Sequence, residues 1–229
     1  MKYGPLFFLF TLIAHPPLYA DKKQSLNVSQ KKSSTAIPLT EDLMREHGVL
    51  NRILLIYEEI IRRIHNDKDF AVGIIKQTAD ITQSFIENYH EKLEEMYIFP
   101  LFEKHTKKTR LINTLKEQHN KGREITAHIQ KLSSGHFLTL KQKKQLRRLL
   151  RKYIKMYRPH EAREDTVLFP KIRSLISNEE FEKLSNTFED FEDKMFGKNG
   201  FKTILHQIEN IEQHLGIYAL EQFTPTKTK

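Results

Sequence analysis

The sequence predicts an all-α protein: an up-down-up-down four-helix bundle followed by a C-terminal helical extension. Only 8 Gly and 8 Pro occur among 229 residues, so helices can run through most of the chain. Apolar residues recur in steps of three and four along four long segments. Short polar turns join these segments, and short connections favour antiparallel neighbours in a bundle.

The first two predicted helices form one hairpin. The first starts at Thr40, a residue type that caps helices, and ends at Asn66-Asp67. The second runs from about Asp69 to about Lys104, and Pro100 is expected to kink it or end its regular hydrogen bonding. The inward positions are Leu43, His47, Leu50, Leu54, Tyr57, Ile61 and Ile64, then Ala79, Thr82, Ile86, His90, Glu94, Tyr97 and Leu101.

The third and fourth predicted helices form a second hairpin. The third covers roughly Lys108 to Leu132 and ends at Ser133-Ser134-Gly135. The fourth starts near Thr139 and continues to about Leu175, with Pro170 near its end. The inward positions are Ile112, Leu115, His119, Gly122, Thr126 and Ile129, then Leu146, Leu150, Tyr153, Tyr157, His160, Glu164 and Leu168.

The two hairpins repeat one pattern. His90-Glu91-x-x-Glu94 followed by Phe99-Pro100 matches His160-Glu161-x-x-Glu164 followed by Phe169-Pro170, and every matched pair has the same offset along the chain. His47 and His119 are related by nearly the same offset. Each hairpin therefore carries one His on its first helix and a His-x-x-x-Glu on its second.

This pattern predicts a dinuclear metal site in the bundle core. Residues four apart share a helix face, so each His-x-x-x-Glu can direct an imidazole and a carboxylate to one point. The predicted ligands are His47, His90, Glu94, His119, His160 and Glu164. A single His on an apolar stripe is usually a core residue, but burying this duplicated set without a metal would leave several polar groups in need of partners.

The chain resembles the hemerythrin-like (HHE cation-binding) family from Thr40 to about Leu175. The residues that carry the resemblance are Glu46-His47, His90-Glu91-Lys92-Leu93-Glu94-Glu95 with Phe99-Pro100, Gln118-His119, and His160-Glu161-Ala162-Arg163-Glu164-Asp165 with Leu168-Phe169-Pro170. The resemblance implies two non-haem irons, bridged by oxygen and by carboxylates, with an open position for dioxygen or a related small ligand. By position, Glu94 and Glu164 would be the bridging carboxylates. Manganese and zinc also accept His and carboxylate ligands.

Two positions depart from the oxygen-carrying members of that family. Those proteins have a second His four residues after the third-helix His, where this chain has Arg123. They use an Asp five residues after the fourth-helix His, the place of Asp165, while Glu164 stays on the face of His160. Asp165 and Glu91 are therefore additional candidate ligands, and reversible oxygen carriage is in question. Arg123 either brings positive charge to the site or is a solvated side chain.

The regions outside the bundle have separate predictions. Residues 1–20 resemble a secretory signal peptide, with an apolar run from Pro5 to Ala14 and a cleavage point after Ala20, which predicts export, to a periplasm-like compartment. An uncleaved anchor is the alternative; no transmembrane segment is expected in the mature protein. Residues 21–38 are predicted as a flexible linker, 39–175 as the bundle, 176–223 as a helical extension packed on the bundle or on a second subunit, and 224–229 as a tail.

Composition narrows the function. The absence of Cys excludes disulfides, thiolate sites and iron–sulfur clusters. A basic stripe on the fourth helix comprises Lys141, Lys144, Arg148, Arg151, Lys155 and Arg158; it is either a solvated helix back or a surface for an anionic partner. No nucleic-acid-binding signature occurs, so nucleic acid is not an expected partner.

Several functions are compatible with such a site. The leading hypothesis is a metal-binding protein, with two irons, that binds or senses dioxygen or a similar small ligand. An enzyme acting on peroxide or other oxidants, an iron storage or delivery protein, and a purely structural bundle are the alternatives. The sequence sets neither the metal nor the oligomeric state.

Overall fold

The computed structural model describes residues 37–225, and every regular element in that range is helical. This confirms the predicted all-α class. The predicted signal peptide, the linker as far as residue 36, and residues 226–229 lie outside the described residues. No helix between residues 37 and 225 combines the length and the apolarity that a membrane span requires.

Six long helices and a short 3₁₀ helix, Leu220–Phe223, are present among residues 37–225. Helix α1 is Leu39–His65 and α3 is Thr109–Leu132, whereas α5 is Asn178–Phe196 and α6 is Gly200–Leu215. Helices α2 (residues 72–105) and α4 (residues 140–175) are continuous but not uniform. Helix α2 consists of Val72–Ile81, a π-helical stretch Thr82–His90, Glu91–Leu93, a second π stretch Glu94–Ile98, and Phe99–His105. Helix α4 consists of Leu140–Arg163, a π stretch Glu164–Leu168, a 3₁₀ turn Phe169–Lys171, and Ile172–Leu175.

Helices α4 and α5 begin with a capping box, whereas α1, α2, α3 and α6 begin without a side-chain cap. Thr139 caps α4 through a capping box with Gln142, whose backbone N–H donates to the threonine hydroxyl. The expectation that Thr40 caps α1 was wrong, because α1 begins at Leu39 and the flanking residue is Pro38. Proline has a helix-compatible φ and lacks the N–H that a helix start leaves unpaired, so the chain enters α1 without a side-chain cap.

Two of the three π stretches, Glu94–Ile98 and Glu164–Leu168, lie directly before the two Phe-Pro pairs. Pro100 does not end α2, because the π stretch Glu94–Ile98 precedes it and the helix continues to His105. A π turn adds a residue to the helix and rotates its following face. Ile98 and Phe102 are consequently fully buried, whereas Tyr97 and Leu101, which the sequence pattern placed inward, are only partly buried.

The four long helices enclose the core. Helix α1 packs against α2 and α4, and α3 packs against the same two helices. Their inward residues are almost all buried, including three tyrosines, Tyr57, Tyr153 and Tyr157. The ring of Tyr153 contacts the rings of both Tyr57 and Tyr157. The buried core therefore lies between all four helices, and the predicted metal ligands face each other within it.

Helices α5 and α6 cover the outer side of α1 and α2 in the same chain. The ring of Phe196 packs against Tyr89 at a centroid distance of 5.5 Å. Arg52 binds the buried carboxylate of Glu212 through two nitrogen atoms. This extension packs on its own bundle, the first of the two arrangements that the sequence allowed, and it closes one side of the site region to solvent.

Candidate metal centre

Each hairpin brings two imidazoles together in the core. The Nε2 atoms of His47 on α1 and His90 on α2 lie 3.1 Å apart. The Nε2 atoms of His119 on α3 and His160 on α4 lie 3.2 Å apart. All four rings are at most 3% exposed. Two inward-facing nitrogen pairs are thus available for two cations.

The two carboxylates connect these pairs. Oε2 of Glu94 lies 3.6 Å from Nε2 of His90 and 3.5 Å from Nε2 of His119, which belongs to the other hairpin. Oε2 of Glu164 lies 3.1 Å from Nε2 of His160 and 3.5 Å from Nε2 of His47. Each carboxylate therefore contacts one imidazole of each pair. The structure brings all six predicted ligands to one place.

The outer nitrogen of every imidazole faces a polar partner. Nδ1 of His47 donates to Asp165 (2.7 Å), and Nδ1 of His119 donates to Glu95 (3.1 Å). The other two contacts are His90 with Glu46 (2.6 Å) and His160 with Gln118 (2.9 Å). Such contacts favour a proton on Nδ1, and in that tautomer the Nε2 lone pair is directed inward, as a metal ligand requires.

The phenylalanines of the repeated Phe-Pro pairs hold two of the rings in place. Phe169 stacks on His47 with centroids 5.3 Å apart, and Phe99 stacks on His119 with centroids 5.4 Å apart. Both phenylalanines are fully buried. The π stretches that precede them set this position, since they turn the chain just after Glu94 and Glu164.

The buried carboxylates lack hydrogen-bond donors. Both oxygens of Glu94 and both oxygens of Glu164 are buried without a hydrogen-bond partner among residues 37–225. An unpartnered carboxylate costs several kcal/mol to bury, on the order of the penalty for any desolvated ion. Cations between the imidazole pairs would satisfy these oxygens. Geometrically, His47, His90 and Glu94 form one potential cation-binding group, and His119, His160 and Glu164 form another.

The pKa values in the site reflect the close approach of its buried carboxylates and imidazoles. Burial and the charge of Glu164 raise the pKa of Glu94 well above its usual range. Burial also opposes ionisation of Glu164, but His160 and His47 outweigh it and lower the pKa of that carboxyl. For His47, burial opposes the charge, yet the hydrogen bond with Asp165 and the nearby carboxylate of Glu164 raise the pKa to about 10. A cation would replace the proton that these acids otherwise retain on His47.

The two additional candidate ligands occupy different places. Asp165 lies on the outer side of His47, at its Nδ1 atom. Oε1 of Glu91 accepts a hydrogen bond from the Tyr157 hydroxyl (2.6 Å), and its Oε2 lies 4.0 Å from Nδ1 of His119. Glu91, Glu95 and His119 form a third, smaller group of potential ligands.

Arg123 is neither free in solvent nor directed at the imidazole pairs. Its Nη2 atom donates to Glu95 (2.7 Å) and lies 2.9 Å from Oε2 of Glu91. Burial would raise the pKa of Glu95, but His119 and Arg123 lower it to about 2. The arginine at this position therefore keeps an acid ionised behind His119.

Sequence reasoning did not identify Glu46, Glu95 and Gln118 as functional residues and had Asp165 only as a candidate ligand, although the repeat contains a signal for all four. Glu46 and Gln118 each directly precede the His on the first helix of a hairpin, so they share the offset of those histidines. Glu95 and Asp165 each directly follow the Glu on the second helix and share the offset of those glutamates. Equivalent positions of the two hairpins thus serve equivalent imidazoles. The remaining histidines among residues 37–225 belong to none of the three groups.

Comparison with known proteins agrees with this geometry. The hemerythrin HHE cation-binding domain matches residues 39–172 and, in a second overlapping match, residues 110–216. One protein of Mycobacterium bovis and two of Mycobacterium tuberculosis, each described as uncharacterised, are 44% identical over 193 residues, which is 83% of this chain and 76% of theirs. No solved structure gives a significant match. With the duplicated His and Glu positions inside the matched range, the chain belongs to the hemerythrin HHE cation-binding domain family.

Proposed function

We propose that the protein binds two non-haem iron ions and, through them, binds or senses dioxygen or a related small ligand. One observation carries the proposal: Glu94 and Glu164 each contact an imidazole of both pairs while all four of their oxygens lack a hydrogen-bond partner among the described residues. Two carboxylates in this position can bridge two cations and neutralise part of their charge.

The proposed ligand set is His47, His90, Glu94, His119, His160 and Glu164. Nitrogen and oxygen donors of this kind suit iron, manganese or zinc, and the family places iron first. In this proposal Asp165, Glu46, Glu95 and Gln118 orient the imidazoles from behind. Iron supplies reversible one-electron chemistry and an open coordination position.

The proposed scaffold is an up-down-up-down bundle of α1 to α4. Residues 66–71, 106–108 and 133–139 join these helices, and such short connections favour antiparallel neighbours. The packing of α1 and α3 against both α2 and α4 supports the same arrangement.

A small ligand fits the enclosure of the site. Glu94, Glu164 and His119 have no exposed surface, and the other three proposed ligands are at most 3% exposed. The aromatic rings of Phe99 and Phe169 stack on two of the imidazoles. These residues exclude bulk water and any large substrate, which leaves diatomic molecules and peroxide as ligands of suitable size.

The first test is metal content with an optical spectrum, on protein expressed with iron and purified in air. We expect about two irons per chain and ligand-to-metal charge-transfer absorption. The variant Glu94→Gln/Glu164→Gln keeps side-chain shape but removes both negative charges, and it should lose most of the iron. Glu87→Gln is the matched control, because Glu87 is also a buried glutamate of α2 but belongs to no potential cation-binding group.

The outcomes separate the candidate functions. Equal iron content in the double variant and the control would refute the proposed site. Iron that exchanges freely and gives no spectral change with dioxygen would indicate storage or delivery. Repeated consumption of peroxide by the iron-loaded protein, abolished in His90→Ala/His160→Ala, would indicate an enzyme instead of a binding protein.

Export to a periplasm-like compartment remains a proposal from the N-terminal pattern. The apolar run from Pro5 to Ala14 and the small residue Ala20 support it. Mass spectrometry of the protein from extracytoplasmic and cytoplasmic fractions tests it. We expect an N-terminus at Asp21, and an intact chain starting at Met1 in the cytoplasmic fraction alone would refute export.

A further inference from the structure

Positive charge is concentrated in one segment of the chain. The formal net charge of the whole chain is +9. Residues 125–160 contain ten Lys and Arg and no Asp or Glu, so the rest of the chain sums to 9 − 10 = −1. The ten are Lys131, Lys141, Lys143, Lys144, Arg147, Arg148, Arg151, Lys152, Lys155 and Arg158. Nearly all of them lie on α4, between its start and the candidate metal centre.

This charge is left unbalanced on the surface. Among residues 37–225, Arg158 is the one member of the ten that forms an ion pair, with Glu58 at 2.7 Å. Lys141, Lys144, Arg148, Arg151, Lys155 and Arg158, here named the basic face, recur in steps of three and four and are all exposed. A row of exposed cations without counter-charges creates a positive potential that attracts an anionic surface.

Two large apolar side chains stand at the end of the basic face. Phe137 is 79% exposed and Leu140 is 73% exposed, whereas Leu138 between them is buried and holds the loop to the core. Leu140 precedes Lys144 by four residues on α4, so both lie on the same helix face. Phe137 lies three residues before Leu140, in the connection that leads into α4, and these two exposed residues are here named the apolar tip.

A groove beside the basic face adds a concave element. It runs between α1 and α4, and its lining includes the apolar Ile61 and Ile154, the cationic Arg151 and Lys155, and the acidic Glu58, which pairs with Arg158. Cationic side chains on an apolar floor can receive a phosphate and the glycerol carbons attached to it.

We propose that the basic face and the apolar tip dock the protein on an anionic phospholipid bilayer. Cationic side chains pair with headgroup phosphates, and an exposed phenylalanine and leucine enter the boundary between headgroups and acyl chains. A solvated helix back needs no exposed apolar tip. Nucleic acid would satisfy the cations but offers no apolar phase for Phe137 and Leu140.

The apolar tip and the early turns of the basic face, where the tests below make their substitutions, are distant from the candidate metal centre, although the basic face ends at Arg158, two residues before His160. Leu140 begins α4 and His160 lies near the end of its first segment, a separation of about 30 Å at 1.5 Å per residue. Variants of the docking surface are therefore expected to leave iron content unchanged, and failure of one proposal does not imply failure of the other.

Co-sedimentation of the full chain with vesicles tests the proposal. One vesicle population is pure phosphatidylcholine, and the other is an equal mixture of phosphatidylcholine and phosphatidylglycerol. We expect preferential binding to the anionic vesicles at low salt, weakened by high salt. Lys144→Glu/Arg148→Glu/Arg151→Glu should abolish this preference. Phe137→Ser/Leu140→Ser should weaken anionic vesicle binding about tenfold while heparin binding, which depends on charge, is retained.

Matched controls separate the docking surface from general charge and hydrophobicity. Lys194→Glu/Lys198→Glu/Lys202→Glu makes the same charge change on exposed residues near α5 and α6. Leu220→Ser/Phe223→Ser removes two other exposed apolar side chains, of which Leu220 is 78% exposed. Both controls should bind like the unmodified chain. Residues 1–36 are common to all variants, so the comparison between variants isolates the docking surface.

Three results would overturn the proposal. The first is equal binding of the unmodified chain to neutral and anionic vesicles. The second is a charge-reversal variant of the basic face that binds like its control. The third is retention on duplex DNA with no binding to anionic vesicles, which would assign the surface to nucleic acid.

Discussion

Nδ1 of His47 lies 2.7 Å from a carboxylate oxygen of Asp165, although 118 residues separate the two in the chain. The contact joins α1 to the π stretch of α4, and it holds the His47 ring with its other nitrogen facing Glu164. Asp165 thus lies where it can orient His47, a proposed metal ligand, from the outer side of the ring. Its equivalent in the other hairpin, Glu95, does the same for His119.

Asp165→Asn is expected to weaken metal binding without removing a metal from the site. An amide in place of the carboxylate reduces the basicity of His47, and loss of such an outer partner typically lowers metal affinity about 10- to 100-fold. Competition with a chelator measures the affinity, and elemental analysis at saturation measures the stoichiometry. Asp190→Asn, an exposed acid on α5, is the control. If Asp165→Ala binds one metal fewer at saturation, Asp165 is itself a ligand.

Gly122→Ala is expected to destabilise the protein by about 1–3 kcal/mol. A Cβ atom at Gly122 would overlap the hydroxyl of Tyr157, which is fully buried and donates to Glu91. Urea unfolding of the metal-free protein measures the loss.

Gly48→Ala provides the matched control for this glycine. Gly48 lies within α1, is exposed, and has no neighbouring atom within 4 Å of the position that a Cβ would take. Alanine there should stabilise the protein by about 0.5–1 kcal/mol, because glycine is the poorer helix former. If both substitutions have the same effect, the close approach of Tyr157 to α3 is not a constraint on position 122.

Arg123→Met is expected to destabilise the metal-free protein by about 2–4 kcal/mol. Arg123 is the cation beside Glu91, and burial already raises the pKa of that carboxyl well above its usual range. Without the arginine, Glu91 must take up a proton or remain as an uncompensated buried charge. Urea unfolding measures the effect.

A double substitution shows whether Glu91 is the cause. Adding Glu91→Gln to Arg123→Met should recover a large part of the lost stability, since the buried charge is removed with its partner. Arg148→Met, at an exposed arginine without an ion pair among the described residues, should change stability by less than about 0.5 kcal/mol. A double variant that is less stable still would show that Arg123 acts through Glu95 alone.

Asp42→Asn is expected to stabilise the protein at alkaline pH. Burial and the nearby charge of Glu46 raise the pKa of Asp42 from 3.8 to about 7, against the effect of Arg45. The folded state therefore retains a proton that the unfolded chain loses, so stability falls as pH rises from about 4 to about 7, and the cost is complete above that range.

Urea unfolding at two pH values measures this cost. At pH of about 8 the variant should be more stable by about 1–2 kcal/mol, allowing for partial solvent access, and the gain should shrink toward pH of about 4. Asp190→Asn should give no such difference between the two pH values. A gain that is constant with pH would show that Asp42 is not the titrating group.

The periodicity of apolar residues predicted the long helices well, because apolar residues recur on the face of a helix that is buried. All the inward positions given for α3 and α4 are buried. The π stretches were not predictable, because the change of backbone hydrogen bonding in a π turn does not alter the spacing of apolar residues in the sequence. Tyr97 and Leu101 were misplaced for this reason, and Ile98 and Phe102 took their places.

The candidate ligands were visible in sequence because His and Glu recur at one helical step in two equivalent hairpins. Their outer partners depend on how neighbouring helices are rotated against each other, which no single-helix pattern contains. Glu46 illustrates this, since it lies on α1 but binds His90 on α2. In the sequence, Glu46 and Gln118 are related only by the offset between the two hairpins. This relation shows that the two residues are equivalent partners only after their contacts with His90 and His160 are known.

The two carboxylates cross between the hairpins, so the group of potential ligands in each hairpin also contacts an imidazole of the other hairpin. Glu94 comes from the first hairpin yet reaches His119, and Glu164 comes from the second yet reaches His47. Bound metal would consequently act as a non-covalent cross-link between the halves. Cleavage in the connection 106–108 should then leave the two fragments associated while the metal is present and let a chelator separate them.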